Sequence, residues 1–151
     1  AEVSTTGDAS ALLGIEPATN GDGNPTANAQ EYVSTDSDNV VQIDFTSDNG
    51  AGLNQNALTT FDKLLNVTNQ GSQTVDVSVS VSGDDVDASE YVDVYAVKSN
   101  GARVELTGDG NSVTVGDGRS VFIEIEFRLT DQDIGNGQSI LDEIGINADA
   151  S

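Results

Sequence analysis

The stretch that decides the fold is Val121-Phe122-Ile123-Glu124-Ile125-Glu126-Phe127-Arg128-Leu129, in which apolar residues at the odd positions alternate with mostly charged residues. A period of two is the spacing of side chains on one face of a β-strand, so this stretch predicts a strand with one buried face. Residues 75–81 repeat the pattern with valine at every odd position, and Val41, Ile43 and Phe45 form a shorter version. The chain is therefore predicted to consist of half-buried strands.

Further short strands are predicted along the chain, at residues 65–68, 91–98, 103–107, 112–115 and 141–147. Runs of Asn, Gly and Asp separate them, such as Asn100-Gly101 and Gly116-Asp117-Gly118, and these residues favour tight turns. Many short strands joined by such turns are typical of a β-sandwich. We predict an all-β fold, either a jelly roll or an immunoglobulin-like sandwich.

Two segments depart from the alternating pattern. Leu58, Phe61, Leu64 and Leu65 have helical spacing, which predicts at most one short helix leading into a strand. Residues 18–39 are rich in Asn, Asp, Thr and Gly, which predicts a long surface loop.

The composition excludes most catalytic chemistry. The 151 residues include no histidine, cysteine, methionine or tryptophan. A zinc site of imidazole or thiolate ligands, a cysteine nucleophile and a Ser-His-Asp relay are therefore absent. Hydrolysis by a carboxylate pair remains, but a chain with seven Phe and Tyr residues offers few aromatic platforms for a substrate cleft. We predict that the protein is not an enzyme and binds no cofactor.

The charge restricts the partners and the solvent. With 26 acidic and five basic residues the net charge is -21, which repels nucleic acid and anionic membranes. No apolar stretch approaches the roughly 18 residues of a membrane span. Regular alternation predicts a folded chain, and a folded surface this acidic suits molar salt, where the Debye length shrinks to about 3 Å. We predict a halophilic origin.

The start of the chain predicts its location. No methionine precedes Ala1 or occurs elsewhere, which is consistent with a mature chain whose signal segment has been cleaved. We predict an exported protein, located outside the cell or at the cell surface.

Two acidic runs and one sequon are candidate binding or modification sites. Asp36-Ser37-Asp38-Asn39 and Asp84-Asp85-Val86-Asp87, with Glu90 after it, bring together oxygen ligands of the kind that calcium requires. Neither continues into an EF-hand loop, and turns on an acidic surface explain both, so no metal site is predicted. Asn66-Val67-Thr68 is an N-glycosylation sequon, whereas Asn24-Pro25-Thr26 carries the forbidden proline. If Val67 faces inward, Asn66 faces solvent and a glycan fits there.

The amino-terminal segment Ala1-Glu2-Val3-Ser4-Thr5-Thr6 has strand-forming residues, and Gly7-Asp8 separates it from the next apolar segment, residues 9–15. Such a strand either forms the first edge strand of its own sandwich or leaves its domain at the hinge. The pattern alone favours the edge strand.

Four stretches in order resemble the TasA and camelysin-like extracellular fibre proteins, especially their haloarchaeal secreted relatives and the archaeal bundling pilins. They begin at Asp8-Ala9-Ser10-Ala11-Leu12-Leu13-Gly14-Ile15 and continue with Gly52-Leu53-Asn54 up to Phe61. The third is Leu65-Asn66-Val67-Thr68-Asn69-Gln70-Gly71, and the last runs from Gly137-Gln138-Ser139-Ile140-Leu141-Asp142 to Ile146-Asn147-Ala148-Asp149. Together they span nearly the whole chain.

The resemblance implies a jelly-roll subunit that assembles head to tail with identical subunits by donor-strand exchange. The filament would serve adhesion, bundling or biofilm matrix formation. Residues 1–7 would then be a donor-strand arm and residues 8–151 a single sandwich domain. The joining residues would be Ala1, Glu2, Val3, Ser4, Thr5 and Thr6, with Val3 in an apolar slot of the neighbour and Glu2 or Ser4 in solvent.

Camelysin-like proteins have been described as metallopeptidases, but a chain without histidine has no residue to match a zinc-binding motif. The alternative function is a monomeric secreted or cell-envelope immunoglobulin-like binding module whose long loops recognise a ligand.

Overall fold

The computed structural model describes residues 2–7, 12–37, 40–43, 58–83, 91–108, 110–128 and 143–150. Within these ranges the elements are β1 (Glu2–Thr6), β2 (Leu13–Pro17), α1 (Ala27–Tyr32), β3 (Val33–Thr35), β4 (Val41–Ile43), β5 (Leu58–Asn69), β6 (Val75–Ser82), β7 (Val92–Val97), β8 (Arg103–Glu105), β9 (Val113–Val115), β10 (Ser120–Arg128) and β11 (Glu143–Ala150). The strands form two sheets around one core. The prediction of an all-β sandwich is confirmed.

Each sheet contains strands from distant parts of the chain. Sheet A has the order β3-β4-β1-β11-β6-β9, and sheet B has the order β2-β5-β10-β7-β8. The pairings between these strands are antiparallel, except that β1 runs parallel to β11. From β5 onward the chain repeatedly crosses from one sheet to the other, so most neighbours in sequence lie in opposite layers.

The core lies between the two inner faces and follows the predicted alternation. In β6 the three valines at positions 75, 77 and 79 are buried, and in β10 Val121, Ile123, Ile125 and Phe127 are buried. Three aromatic rings pack edge to face at one end, with centroids 5.0 Å apart for Tyr32 and Phe61 and 5.9 Å apart for Phe61 and Phe127. Edge-to-face pairs of this kind add to the stabilisation from buried area.

The helix predicted from the spacing of Leu58 to Leu65 is wrong, because β5 is a strand throughout. Its register against β10 shifts where Leu65 pairs with Ile123 but Phe61 pairs with Ile125. The extra residues form a bulge in which Lys63 has a φ of 49°. The bulge lets Leu64 and Leu65 both enter the core beside Phe61. Consecutive buried residues interrupt the period of two and imitate helical spacing.

The surface loop predicted for residues 18–39 is also wrong in its central part, which contains α1 and β3. Thr26 caps the helix: its Oγ1 accepts a hydrogen bond from the Ala29 N–H at 3.1 Å and donates one to the Lys63 carbonyl at 2.7 Å. Ala29 and Tyr32 are buried, and two buried residues in a six-residue helix are too few to produce a recognisable period in the sequence.

Asn69 is a buried polar side chain that joins three parts of the sandwich. Its Nδ2 donates to the Gln73 carbonyl at 2.6 Å and to the Val115 carbonyl at 3.0 Å, and its Oδ1 accepts from the Gly71 N–H at 3.0 Å. These bonds connect the end of β5 to the following turn and to β9.

We expect Asn69→Ala to lower the free energy of unfolding by about 1–3 kcal/mol, because it leaves buried backbone groups without partners. Urea unfolding in molar salt measures the change. The control is Asn100→Ala, which removes one exposed turn bond to the Ala102 N–H and should cost under about 0.5 kcal/mol. Equal stability of the two variants would contradict the role assigned to Asn69.

Candidate functional site

The amino-terminal strand β1 lies inside sheet A, between β4 and β11. It pairs in parallel with β11 over five positions, from Glu2 opposite Glu143 to Thr6 opposite Asn147. With β4 it shares a single pair, Glu2 opposite Gln42. β11 therefore supplies most of the main-chain pairing that holds β1.

One side chain anchors β1 in the core. Val3 is 8% exposed and belongs to the core cluster, whereas Glu2, Thr5 and Thr6 are exposed and Ser4 is half-buried. The Thr6 hydroxyl donates to Asn147 Oδ1 at 3.1 Å. Val3 faces inward and Glu2 and Ser4 face outward, as the alternation predicts. The sandwich that Val3 enters is that of its own chain and not that of a neighbour.

In the single chain, residues 2–6 are thus neither a free arm nor an edge strand. The division into an arm over 1–7 and a domain over 8–151 does not describe this packing, because Val3 completes the core of its own sandwich. Local pattern cannot reveal this position, since β11 begins about 140 residues later. Ala1 lies outside the described residues, and transfer of the strand to a neighbouring copy stays a prediction.

The chain leaves β1 through a close contact at Gly7. Its φ is +100°, and a Cβ atom at this position would lie 2.2 Å from the carbonyl oxygen of Ala148 in β11. Glycine is therefore required twice, for the left-handed backbone and for the close approach. The predicted hinge begins at this residue, while Asp8 lies outside the described residues.

A groove of about 410 Å³ runs beside β1 between the two sheets. Its walls come from β1, β2 and the start of β4: Glu2, Val3, Ser4, Thr5, Leu13, Ile15, Val40 and Val41. Thr5 lies on the same side of β1 as Val3 and yet is exposed, because the sandwich is open here. The packing of β1 against sheet B is therefore incomplete.

Positive charge is confined to one side of the sandwich. The five basic residues of the chain lie on strands of sheet B or on turns next to them: Lys63, Lys98, Arg103, Arg119 and Arg128. Sheet A contains none, and its outer face presents carboxylates at Glu2, Asp76, Glu143 and Asp149.

On sheet B, Arg103 is the centre of an ordered cluster. Its guanidinium lies 2.5 Å from Glu124 and 4.0 Å from the centroid of the Tyr95 ring. Burial would lower the pKa of Arg103, but the hydrogen bond and charge of Glu124 outweigh burial and raise it. Burial, followed by the charge of Glu126, raises the pKa of Tyr95. Both pKa values move away from neutrality, so Arg103 and Tyr95 keep their protons near pH 7.

Of the comparisons with known proteins, the family match concerns the region after β2. The family model described as "Protein of unknown function (DUF1102)" matches residues 25–150. The chain belongs to this family. The match covers α1 and β3 to β11, whereas β1 and β2 precede it.

The chain is also distantly similar in structure to a domain of known fold. Among curated proteins none matches. The ASH / PapD-like domain of human CEP192 (PapD-like domain 7) aligns with 10% identity and a TM-score of 0.32, covering 93% of this chain and 84% of the domain. At that TM-score the likeness says nothing about function. In the described part of the chain, no helix is long and apolar enough to cross a membrane.

The sequon lies where the alternation predicts. Val67 is fully buried, and Asn66 is half-exposed on the outer face of sheet B, between Glu16 of β2 and Phe122 of β10. The structure thus places Asn66 on an outer face, and glycosylation there stays a prediction.

The first acidic run has a turn role in its described part. Asp36 Oδ1 accepts a hydrogen bond from the Val40 N–H at 2.9 Å, while Asp38 and Asn39 lie outside the described residues. The second run, Asp84 to Asp87, and Glu90 lie outside them as well. Within the described ranges, no group of three or more acidic residues could hold a metal ion.

Sequence reasoning missed the β11 residues that receive β1. The clearest signal among them is Gly145, which pairs with Ser4. A Cβ at Gly145 would lie 2.7 Å from the Ser80 Oγ of β6 and 3.9 Å from the Ser4 Oγ of β1. A glycine in an otherwise β-forming stretch indicates close approach of a neighbour, but it does not identify which strand approaches.

Proposed function

We propose that this protein is the structural subunit of an extracellular filament in which β1 of each copy takes the β1 position of the next copy. The observation that supports the proposal is the seat of β1, by which we mean its position between β4 and β11 in sheet A. As the first strand described in the chain, β1 lies in the interior of a sheet, pairs mainly with one neighbour and is anchored by one buried side chain.

The position of β1 gives exchange a physical basis. Without β1, sheet A would split into β3-β4 and β11-β6-β9, and the facing edges of β4 and β11 would be unpaired. Unpaired strand edges readily accept another strand. An identical β1 from a neighbour would restore the same main-chain bonds and fill the Val3 site, as in β-strand addition.

Exchange between copies has a small net cost. Burial of Val3 contributes about 1.5–3 kcal/mol, and ordering a strand opposes it by about 1–2 kcal/mol per residue. Both terms already apply when β1 occupies its own chain. Swapping therefore replaces each contact by an identical one, and the protein concentration decides which form prevails.

The same geometry allows an open-ended assembly. The strand of one copy enters the seat of the next, so the contact is head to tail and does not close on itself unless the rotation forms a ring. Residues 7–11 connect Thr6, the end of β1, to Leu12 and let these two residues lie at most about 22 Å apart, so adjacent sandwiches must lie directly against each other.

The wider role rests on the resemblance to fibre proteins and on the composition. We propose an exported protein of a halophilic organism, whose filaments serve adhesion, bundling or biofilm matrix and take up no cofactor. A catalytic role is not proposed, since the chain has no histidine or cysteine for a zinc site, a thiol nucleophile or a Ser-His-Asp relay.

One observation favours the second candidate function, a monomeric binding module. β1 completes the sandwich of its own chain, and the neighbouring groove of about 410 Å³ has the size of a small-molecule site.

Electron microscopy of the purified protein in molar salt distinguishes the two functions. The filament proposal predicts fibres that become longer and more numerous as protein concentration rises. A sample that stays monomeric by size exclusion and shows no fibres at any concentration would favour the binding module.

A further inference from the structure

Two glutamates meet where β1 begins. Glu2 and Glu143 are directly opposite in the parallel register of β1 and β11, and both are exposed. Neighbouring strands lie about 4.8 Å apart, and like charges directly opposite each other destabilise the pairing. Gln42, the partner of Glu2 on the other side, carries no charge to offset this repulsion.

In a second acidic pair on sheet A, hydrogen bonds from neighbouring side chains offset the repulsion between the two carboxylates. Asp76 of β6 is opposite Asp149 of β11. Thr114 Oγ1 donates to Asp76 at 2.9 Å, and Asn147 Nδ2 donates to Asp149 at 2.8 Å. Between described residues, no hydrogen bond or ion pair reaches the carboxylates of Glu2 and Glu143, and the basic residues lie on or next to sheet B.

We infer that the Glu2–Glu143 pair makes the seat of β1 sensitive to salt: high ionic strength holds the strand in place and dilution releases it. The Debye length is about 3 Å at 1 M salt, shorter than the strand spacing, and about 10 Å at 0.1 M. Because one buried side chain anchors β1, a modest repulsion is enough to shift its occupancy. The link to filaments rests on the proposed function: joints made by β1 would open on dilution before the sandwiches unfold.

Hydrogen exchange of the full chain tests the release directly. Deuterium uptake of the peptide containing β1 is compared with that of β10 at about 0.1 M and at molar salt. We expect β1 to exchange faster than β10 at low salt, and Glu143→Gln or Glu2→Gln to slow β1 exchange roughly two- to fivefold there. In molar salt the substitutions should have little effect.

The control is Asp76→Asn, which removes the same charge from the same sheet face but leaves the Glu2–Glu143 pair intact. The double variant Glu2→Gln/Glu143→Gln should slow β1 no more than either single variant, because each already removes the pair repulsion. Equal slowing by Asp76→Asn, additive effects, or equal exchange of β1 and β10 would overturn the inference.

Failure of this inference and failure of the proposed function are separable. The exchange measurement is made on dilute single chains, whereas filament formation is read by microscopy. If filaments form but hydrogen exchange of β1 does not depend on salt, the assembly proposal holds and the proposed control of assembly by salt is refuted. Salt-dependent hydrogen exchange of β1 in a protein that forms no filaments would confirm the release of the strand and refute the assembly.

Discussion

A chain that lacks residues 1–6 is expected to stay folded in molar salt and to form no filaments. The deletion removes the strand that would be exchanged, together with the burial of Val3. We expect the loss of Val3 burial to lower the free energy of unfolding by at least about 1.5–3 kcal/mol, while the core between sheet B and the strands β11-β6-β9 remains intact. Electron microscopy reads the loss of filaments, and thermal unfolding followed by circular dichroism reads the loss of stability.

A matched pair of substitutions separates the effect of losing the buried Val3 side chain from the effect of adding a charge to β1. Val3→Asp places a carboxylate in the core and should abolish filaments as the deletion does. Thr5→Asp adds the same charge on the same side of β1, but at an exposed position, and should retain filaments in molar salt. If the truncated chain still forms ordinary filaments, β1 is not the joining element.

The second large effect is the dependence of stability on salt. The net charge of -21 produces self-repulsion that molar salt screens and that returns over about 10 Å at 0.1 M. We expect the loss between these conditions to reach at least about 3 kcal/mol, equivalent to a fall in Tm of roughly 6–12 °C for a chain of this size. Circular dichroism across a dilution series measures it.

The control for this series is the choice of salt. Two neutral salts of different chemistry, compared at equal ionic strength, separate general screening from the binding of one particular ion. An unchanged Tm from molar salt down to about 0.1 M would refute the halophilic interpretation of the composition.

The fold was predictable where one face of a strand is buried without interruption. In β6 up to Val79 and in β10 up to Phe127 every second residue is buried, and among the residues between them only Glu124 is buried as well. The prediction failed where tertiary contacts override the local pattern. The bulge at Lys63 makes part of β5 resemble a helix, and α1 is stabilised by its Thr26 cap and by Tyr32 packing on Phe61.

The candidate site was predictable only in part. Strand-forming residues before Gly7 indicated a separate strand, and alternation indicated that Val3 faces inward. The partner strand could not be predicted, because parallel pairing with β11 depends on the whole topology and leaves no local signal. The opposition of Glu2 and Glu143 follows from that register, so it too becomes visible only in the folded chain.

The most direct test of strand exchange is a disulfide between β1 and β11. Thr6 and Asn147 are register partners whose side chains touch, and the chain has no cysteine of its own. Thr6→Cys/Asn147→Cys should therefore crosslink wherever β1 is seated. The control pair is Thr60→Cys/Glu126→Cys, which joins β5 to β10 within one sandwich.

Both variants are assembled in molar salt, oxidised, and separated on a denaturing gel without reductant. Transfer of β1 to the neighbouring copy predicts a ladder of dimers, trimers and longer covalent chains for the Thr6/Asn147 pair. It predicts monomers for the control pair. A Thr6/Asn147 variant that forms filaments, crosslinks fully and still runs as a monomer would contradict the account.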